Sequence, residues 1–318
     1  MRRLTMAQAE ELRRVPGASL AFFLTDRCPV GCGHCSVSAT VDGPTIRDWE
    51  LFTQVVAGVA SLPGLRAVAI TGGEPFVERR GLIHAVGSLA AAGKAVVLFT
   101  SGYWARPPVP AWIRQVLELT STVYLSTDSY HVDGPAGAGR DRLATAVRTV
   151  LDAGCHLVLQ VLDEPGARDA AKALCPTADV SVIAPLPVGR GADLFAPAPL
   201  RPLSDFGRCH LLNSPTVRYD GRVSACCNEG VIVGAGPPGL RRQVATADDV
   251  AAALAEFRAD PALRLLGRHG PNALSTIVDG PARTICQACW AGVERIAADP
   301  KALAVATLLA GADPGDGA

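Results

Sequence analysis

The sequence predicts an α/β fold: six parallel strands joined by helices, then a small α+β extension. Two observations carry this. Short apolar runs alternate with amphipathic or alanine-rich stretches as far as about Pro185, and beyond Pro187 the alternation stops while Gly, Pro and Arg become dense. The expected strands are Ser19–Leu24, Ala67–Thr71, Ala95–Thr100, Thr122–Ser126, His156–Leu162 and Val180–Pro185. The helices between them are expected at Arg47–Ser61, Gly81–Ala92, Pro110–Leu119, Arg142–Ala153 and Ala167–Cys175. Right-handed crossovers make such strands parallel. Six units are too few for a closed eight-stranded barrel, which leaves a partial barrel or an open flavodoxin-like sheet.

Other elements follow from local chemistry. Ala7 to Arg14 reads as a helix, within an N-terminal segment 1–17. Two short β runs flank Asp220-Gly221, a hairpin signal. Ala247–Ala259 reads as a helix, and a last helix runs from the Cys286–Cys289 region to about Leu309. The domains are thus 18–190 and 191–310, with a disordered tail at 311–318.

The chain has 318 residues, 49% of them hydrophobic, enough for one large and one small core. Lys+Arg and Asp+Glu are both 30. That balance disfavours nucleic acid or an anionic membrane as the main partner. No run approaches a membrane span, and the N-terminus lacks a signal-peptide core, so a cytoplasmic location is expected. Ten cysteines, several in clustered short spacings, suit metal or cluster binding in a reducing compartment better than disulfides.

The sharpest feature is Cys28-Pro-Val-Gly-Cys32-Gly-His34-Cys35, directly after an apolar strand. Three thiolates on one loop suit three irons of a [4Fe–4S] cluster and leave one iron open. A structural zinc site is the alternative. The C-x₃-C-x₂-C loop, with His34 in the aromatic-type place before the third cysteine, resembles the signature of the radical SAM superfamily. Thr71-Gly72-Gly73-Glu74-Pro75 at the end of the second strand resembles that family's GGE motif.

The resemblance implies an open (βα)₆ partial TIM-like barrel. It implies that the open iron binds S-adenosylmethionine, whose reductive cleavage gives a 5′-deoxyadenosyl radical that abstracts a substrate hydrogen. It assigns Gly72, Gly73 and Glu74 to the amino group of that cofactor, with the glycines letting backbone approach it. Ser126 is the candidate for its ribose. Asp128 and His131, at the end of the fourth strand, are candidate bases, with helix capping by Asp128 as the structural alternative. Thr100-Ser101-Gly102-Tyr103 resembles the family's Thr-Asn-Gly turn, and Pro187–Gly191 its Gly-Arg motif, with Arg190 a candidate carboxylate binder.

Cys209, Gly221 and Cys226, followed by Cys286-x₂-Cys289, resemble a shortened SPASM or twitch extension with one auxiliary [4Fe–4S] cluster. Full ligation by Cys209, Cys226, Cys286 and Cys289 implies electron transfer rather than substrate binding; zinc fits the spacing equally. Cys227 should face away from its neighbour, either as a buried thiol or as a hydrogen-atom donor. Cys155 and Cys175 read as small buried hydrophobes, and Trp104, Trp112 and Trp290 as packing residues.

The expected reaction is oxidation or epimerisation of a small secondary metabolite, with a flavodoxin- or ferredoxin-type reductant. The alternatives are maturation of a ribosomally made peptide and a non-catalytic zinc module. Only 27 residues precede Cys28, too few for the leader-binding domain that many peptide maturases carry.

Overall fold

A computed structural model describes residues 3–132 and 139–311. The expected disordered tail lies outside the described residues, apart from Gly311, which ends the last helix. In chain order the barrel part comprises α1 (Met6–Arg14), β1 (Ser19–Phe23), α2 (Trp49–Ser61), β2 (Ala67–Thr71), α3 (Arg79–Ala91), β3 (Ala95–Thr100), α4 (Ala111–Glu118), β4 (Thr122–Ser126), α5 (Ser129–Val132), α6 (Gly139–Asp152), β5 (His156–Leu162), α7 (Ala167–Leu174) and β6 (Asp179–Ile183). The extension adds β7 (Thr216–Arg218), β8 (Arg222–Ser224), α8 (Glu229–Ile232), β9 (Arg241–Gln243), α9 (Ala247–Ala259), α10 (Pro261–His269), α11 (Ile285–Ala298) and α12 (Pro300–Gly311).

One nine-stranded sheet runs β6-β5-β4-β3-β2-β1-β7-β8-β9. Strands β1 to β6 are parallel and sit in sequence order. A flavodoxin-like sheet would reverse direction at a switch point. Unbroken order means each right-handed crossover lays its helix on the same side, as in a barrel segment. Since β6 is an edge, the segment stays open.

Every residue of β1 is buried, as expected of a parallel strand covered on both faces. Phe22 meets Phe52 of α2 edge to face on the helix side. Inside the curve, Val97, Tyr124 and Val158 form a separate small core, and Met6 packs on it. Thr122 Oγ1 donates to Leu4 carbonyl at 2.6 Å. The N-terminal segment therefore plugs the lower end of the sheet, and Thr5 with Gln8 forms the capping box that starts α1.

The extension continues the barrel sheet across the expected boundary at residue 191. β7 pairs in parallel with β1 and β8–β9 continue the same sheet. Residues from both parts share one core, among them Phe52, Leu98, Val217, Val250 and Leu266. The expected last helix is two, α11 and α12, and α10 precedes them as a further helix. Pro261 starts α10 behind the Asp260 cap, and Pro300 interrupts what otherwise reads as one helix.

Helix α9 rests on α2 at Gly58. A Cβ there would lie 2.5 Å from Ala247 carbonyl oxygen and 2.8 Å from Val250 Cγ2, whereas one at Gly87 of α3 would meet nothing within 4 Å. Gly58→Val is expected to cost about 1–3 kcal/mol by overpacking, and Gly87→Ala to gain up to about 1 kcal/mol of helix propensity. Urea unfolding of the two variants beside the parent protein reads both.

Candidate active site

The cysteine loop begins at Cys28, five residues after the last strand pairing of β1 at Phe23, and is bound to its surroundings through backbone. Cys28 N–H donates to Thr40 carbonyl at 2.7 Å, and Cys35 N–H to Cys32 carbonyl at 3.3 Å. Chain returning from β6 passes beneath it. Arg190 N–H donates to Cys35 carbonyl at 3.0 Å, Arg190 Nε to Cys32 carbonyl at 3.0 Å and Nη1 to Ala39 carbonyl at 2.8 Å. Gly189, at φ 58°, passes so close that a Cβ would lie 2.4 Å from Cys35 carbonyl oxygen. The Gly189-Arg190 pair thus holds the loop in shape. Arg190 spends its backbone N–H, Nε and Nη1 on loop carbonyls while still lining the cleft.

The Gly72-Gly73 edge stacks on the same loop. Gly73 N–H donates to Thr25 carbonyl at 2.6 Å and Glu74 N–H to Arg27 carbonyl at 2.9 Å. A Cβ on Gly73 would lie 2.2 Å from Arg27 carbonyl oxygen, so these glycines admit the neighbouring loop rather than only a ligand. Both still line the cleft.

Glu74 does not line it. Its side chain is 1% exposed and turns inward. Thr100 Oγ1 (2.8 Å), Ser101 N–H (2.9 Å), Ser101 Oγ and Phe76 N–H (3.2 Å) all donate to its carboxylate. Burial pushes the carboxyl above its ordinary range, against four donors that favour the ionised form. The expected ammonium acceptor is therefore a tie from β2 to the end of β3, and the Thr100-Ser101 turn is its partner.

Cys28, Cys32 and Cys35 share one cavity of about 200 Å³ with Gly72, Gly73, Ser126, Asp128, His131 and Arg190. Asp128 accepts from His131 N–H at 3.2 Å, and its Oδ2 lies 2.8 Å from His131 Nδ1 and 3.9 Å from His34 Nε2. The carboxylate starts α5 and holds the imidazole at once, so capping and side-chain pairing coexist. Burial alone would lower His131; its bonds to Asp128 and Cys32 outweigh this and hold it at about 10. Burial alone would raise Asp128, but the His131 bond holds it below the usual carboxylate range. Burial lowers His34, whose Nδ1 is enclosed without a partner among the described residues. That imidazole, 3.9 Å from Asp128, is a site residue that sequence reading saw only as an aromatic filler. Asp128 was already a candidate base, but nothing local in the sequence placed it beside His34.

Burial also pushes the Cys28 thiol up to about 12. A thiol so placed stays protonated until a cation compensates its charge, and metal binding does that. The donor set suits an iron–sulfur cluster. Cys227 does not line this cleft, which corrects its expected role as hydrogen-atom donor. It lies 3.9 Å from Leu211 carbonyl, in the extension, near Arg13 and Glu229.

The second thiol group forms at the β7–β8 hairpin. Cys226, Cys289 and Cys209 are buried, and Cys286 sits beside them with Asn228 Nδ2 at 3.3 Å from its Sγ. Burial raises all four thiols, and neighbouring thiols add to it for Cys226, Cys286 and Cys289; Cys286 is pushed up to about 12. Among the described residues, the one set of three or more ligand atoms within 4.8 Å of one another is Cys32, His34 and His131. The four thiols are thus spread more widely than the about 3.8 Å sulfur spacing that tetrahedral zinc imposes through bonds of about 2.3 Å.

Residues 22–161 match the model described as Radical SAM superfamily. YydG of Bacillus subtilis (strain 168), named for peptide biosynthesis, is 24% identical over 111 residues, 34% of this chain and 35% of that protein. The chain thus matches about a third of the length of this curated relative. Among solved structures, Streptococcus suis SuiB bound to S-adenosylmethionine superposes with TM-score 0.53 at 12% identity, covering 80% of this chain and 71% of that one. anSMEcpe with bound AdoMet and Kp18Cys peptide gives 0.56 at 13%, covering 91% and 99%. These likenesses establish the partial-barrel fold. The matched stretch 22–161 holds the cysteine loop, which opens on the sheet's carboxyl end, and members of the matched superfamily use a [4Fe–4S] cluster and S-adenosylmethionine.

Glu74→Ala leaves several buried donors unpaired, each worth about 1–3 kcal/mol, and is expected to destabilise strongly. Glu74→Gln keeps an acceptor and shape, and should lose less than half as much. Thermal unfolding of the metal-free protein separates them.

Proposed function

We propose that this radical SAM enzyme carries out a net oxidation on a peptide. The observation that carries the reading is the single cleft in which Cys28, Cys32 and Cys35 face the Asp128–His131 pair. Three cysteines would hold the cluster and leave one iron for S-adenosylmethionine. Together, when bound, these groups supply a one-electron reduction and a hydrogen-atom acceptor. The backbone edge of Gly72 and Gly73 and the Ser126 hydroxyl would seat the cofactor. The Asp128–His131 pair would take the substrate proton, within hydrogen-bond reach of the cleft.

Oxidation is preferred to epimerisation for a structural reason. Among the described residues, no cysteine other than the three of the loop lines the cleft, so no spare thiol stands ready to return a hydrogen atom. Loss of a hydrogen atom, then an electron, with a proton to the base, balances as a two-electron oxidation. Cys209, Cys226, Cys286 and Cys289 would hold an auxiliary [4Fe–4S] cluster as the electron acceptor. A flavodoxin- or ferredoxin-type carrier would supply the initiating electron.

A peptide replaces the small metabolite as the first choice because the relatives point that way. YydG is named for peptide biosynthesis, SuiB is described bound to its precursor peptide SuiA, and anSMEcpe with a bound peptide. A small alcohol remains the second reading, favoured by a cavity of about 200 Å³, below the ~300–1,000 Å³ of common ligand pockets.

Anaerobically reconstituted protein is expected to hold about eight irons, falling to about four in the Cys28/Cys32/Cys35→Ala triple variant. Four irons falling to none, with zinc retained, would remove the auxiliary cluster from the reading. Cys28→Ala alone should abolish cleavage of S-adenosylmethionine. Cys209→Ala or Cys289→Ala should still cleave it but lose the substrate mass loss of two hydrogens, read by mass spectrometry of peptide and alcohol substrates. Product formation undiminished in these variants would sink the electron-acceptor role.

A further inference from the structure

The two edges of the sheet are finished differently. β9 carries Arg241, Arg242 and Gln243, and Arg242 pairs with Glu256 at 2.6 Å. Charged side chains of this kind blunt an edge against further pairing. β6 carries a charge only at its first residue, Asp179, which pairs with His156 of β5 at 2.8 Å. From Val180 to Gly189 the chain reads Val-Ser-Val-Ile-Ala-Pro-Leu-Pro-Val-Gly, without a charge.

The backbone of that edge is also unpaired. Asp163 N–H donates to Ile183 carbonyl at 2.8 Å, so the polar groups of Ile183 face β5. Backbone groups alternate sides along a strand, so those of Val182 and Ala184 face outward. No loop or side chain among the described residues bonds them. Val182 and Ile183, on opposite faces, are each 36% exposed, and Leu186 is 39% exposed. Pro185 follows with its missing N–H on the β5 side by the same alternation, so it stops further pairing with β5 and leaves the outward groups untouched.

The edge leads into the cleft. Ile183, Ala184 and Leu186 line the cavity that contains the three loop cysteines. A ligand paired to β6 is therefore delivered to the reaction site by the strand itself.

We propose that β6 is the substrate-docking edge: an extended peptide adds beside it as a further strand, bonded by Val182 and Ala184 and packed on Val182, Ile183 and Leu186. This rests on the peptide reading above and names how that substrate is held. Recognition through main chain makes the site tolerant of sequence, with apolar side chains preferred at alternate positions.

The test is amide hydrogen exchange of the reconstituted protein with two blocked peptides of alternating Val and Thr. One is unmodified; the other is N-methylated at every residue, which keeps the side chains and removes the donors of both strand edges. The unmodified peptide is expected to slow exchange at Val182 and Ala184 by about tenfold or more, saturably, and the methylated one not at all. Val182→Pro removes an outward N–H that β5 does not use, so it should fold, retain exchange protection at Asp163, and lose the peptide effect. No slowing, or equal slowing by both peptides, would overturn the proposal. So would slowing that appears without peptide and rises with protein concentration, which would mean that a second copy occupies the edge. Peptide mass changes followed in the same samples keep the two ideas apart: oxidised peptide without edge protection defeats the docking edge and leaves the peptide chemistry standing.

Discussion

The site depends on the close stacking of two strand ends, β1 and β2. Gly73 and Glu74 bond to Thr25 and Arg27 carbonyls through backbone, at a distance only glycine permits at position 73. Glu74 then turns beneath and gathers four donors, three of them from Thr100 and Ser101 at the end of β3. Three successive strands are thereby fixed at the level where the cysteine loop begins. The loop has no regular structure of its own, and its shape is imposed from below by this tie and from the side by Gly189 and Arg190.

A second constraint joins the two thiol groups. β7 lies beside β1, and Arg218 at its end reaches Asp26 with two donors at 2.6 and 3.2 Å. Tyr219 hydroxyl donates to the same carboxylate at 2.7 Å, and Asp220 flanks the guanidinium. Arg218 is 3% exposed and stacks over Phe23. Such an enclosed charge persists only when its hydrogen bonds are satisfied. Asp26 stands two residues before Cys28, so the extension is locked to the cysteine loop by a buried ion pair as well as by sheet pairing. The proposed electron path between the two thiol groups thus crosses one rigid sheet rather than a domain boundary.

The open side of the sheet gives the molecule its other property. A closed barrel has no edge to offer, whereas this one keeps β6 free beside the cleft. The chain guards β9 with charge and leaves β6 uncharged beyond Asp179, and the free edge is the one that reaches the loop cysteines.

Much was legible from the chain alone. The six strands of the barrel were readable because parallel strands are buried on both faces and stand out as apolar runs between helices. The short spacings of the three loop cysteines and of Cys286 and Cys289 were readable because spacing is a local property; that these thiols act as ligands belongs to the proposed function. The roles of Glu74, Arg190 and Cys227 were not. Each is set by which way a side chain turns relative to residues distant in sequence: Glu74 toward Ser101, Arg190 toward Cys32 and Ala39, Cys227 toward Leu211. The same holds for His34 against Asp128 and for β7 against β1. The sequence by itself determined the elements and the ligand spacing, because periodicity and near-neighbour geometry reside in consecutive residues. Only the tertiary structure decided which polar groups face the cleft and which are spent within the protein, because that depends on hydrogen bonds closed across strands.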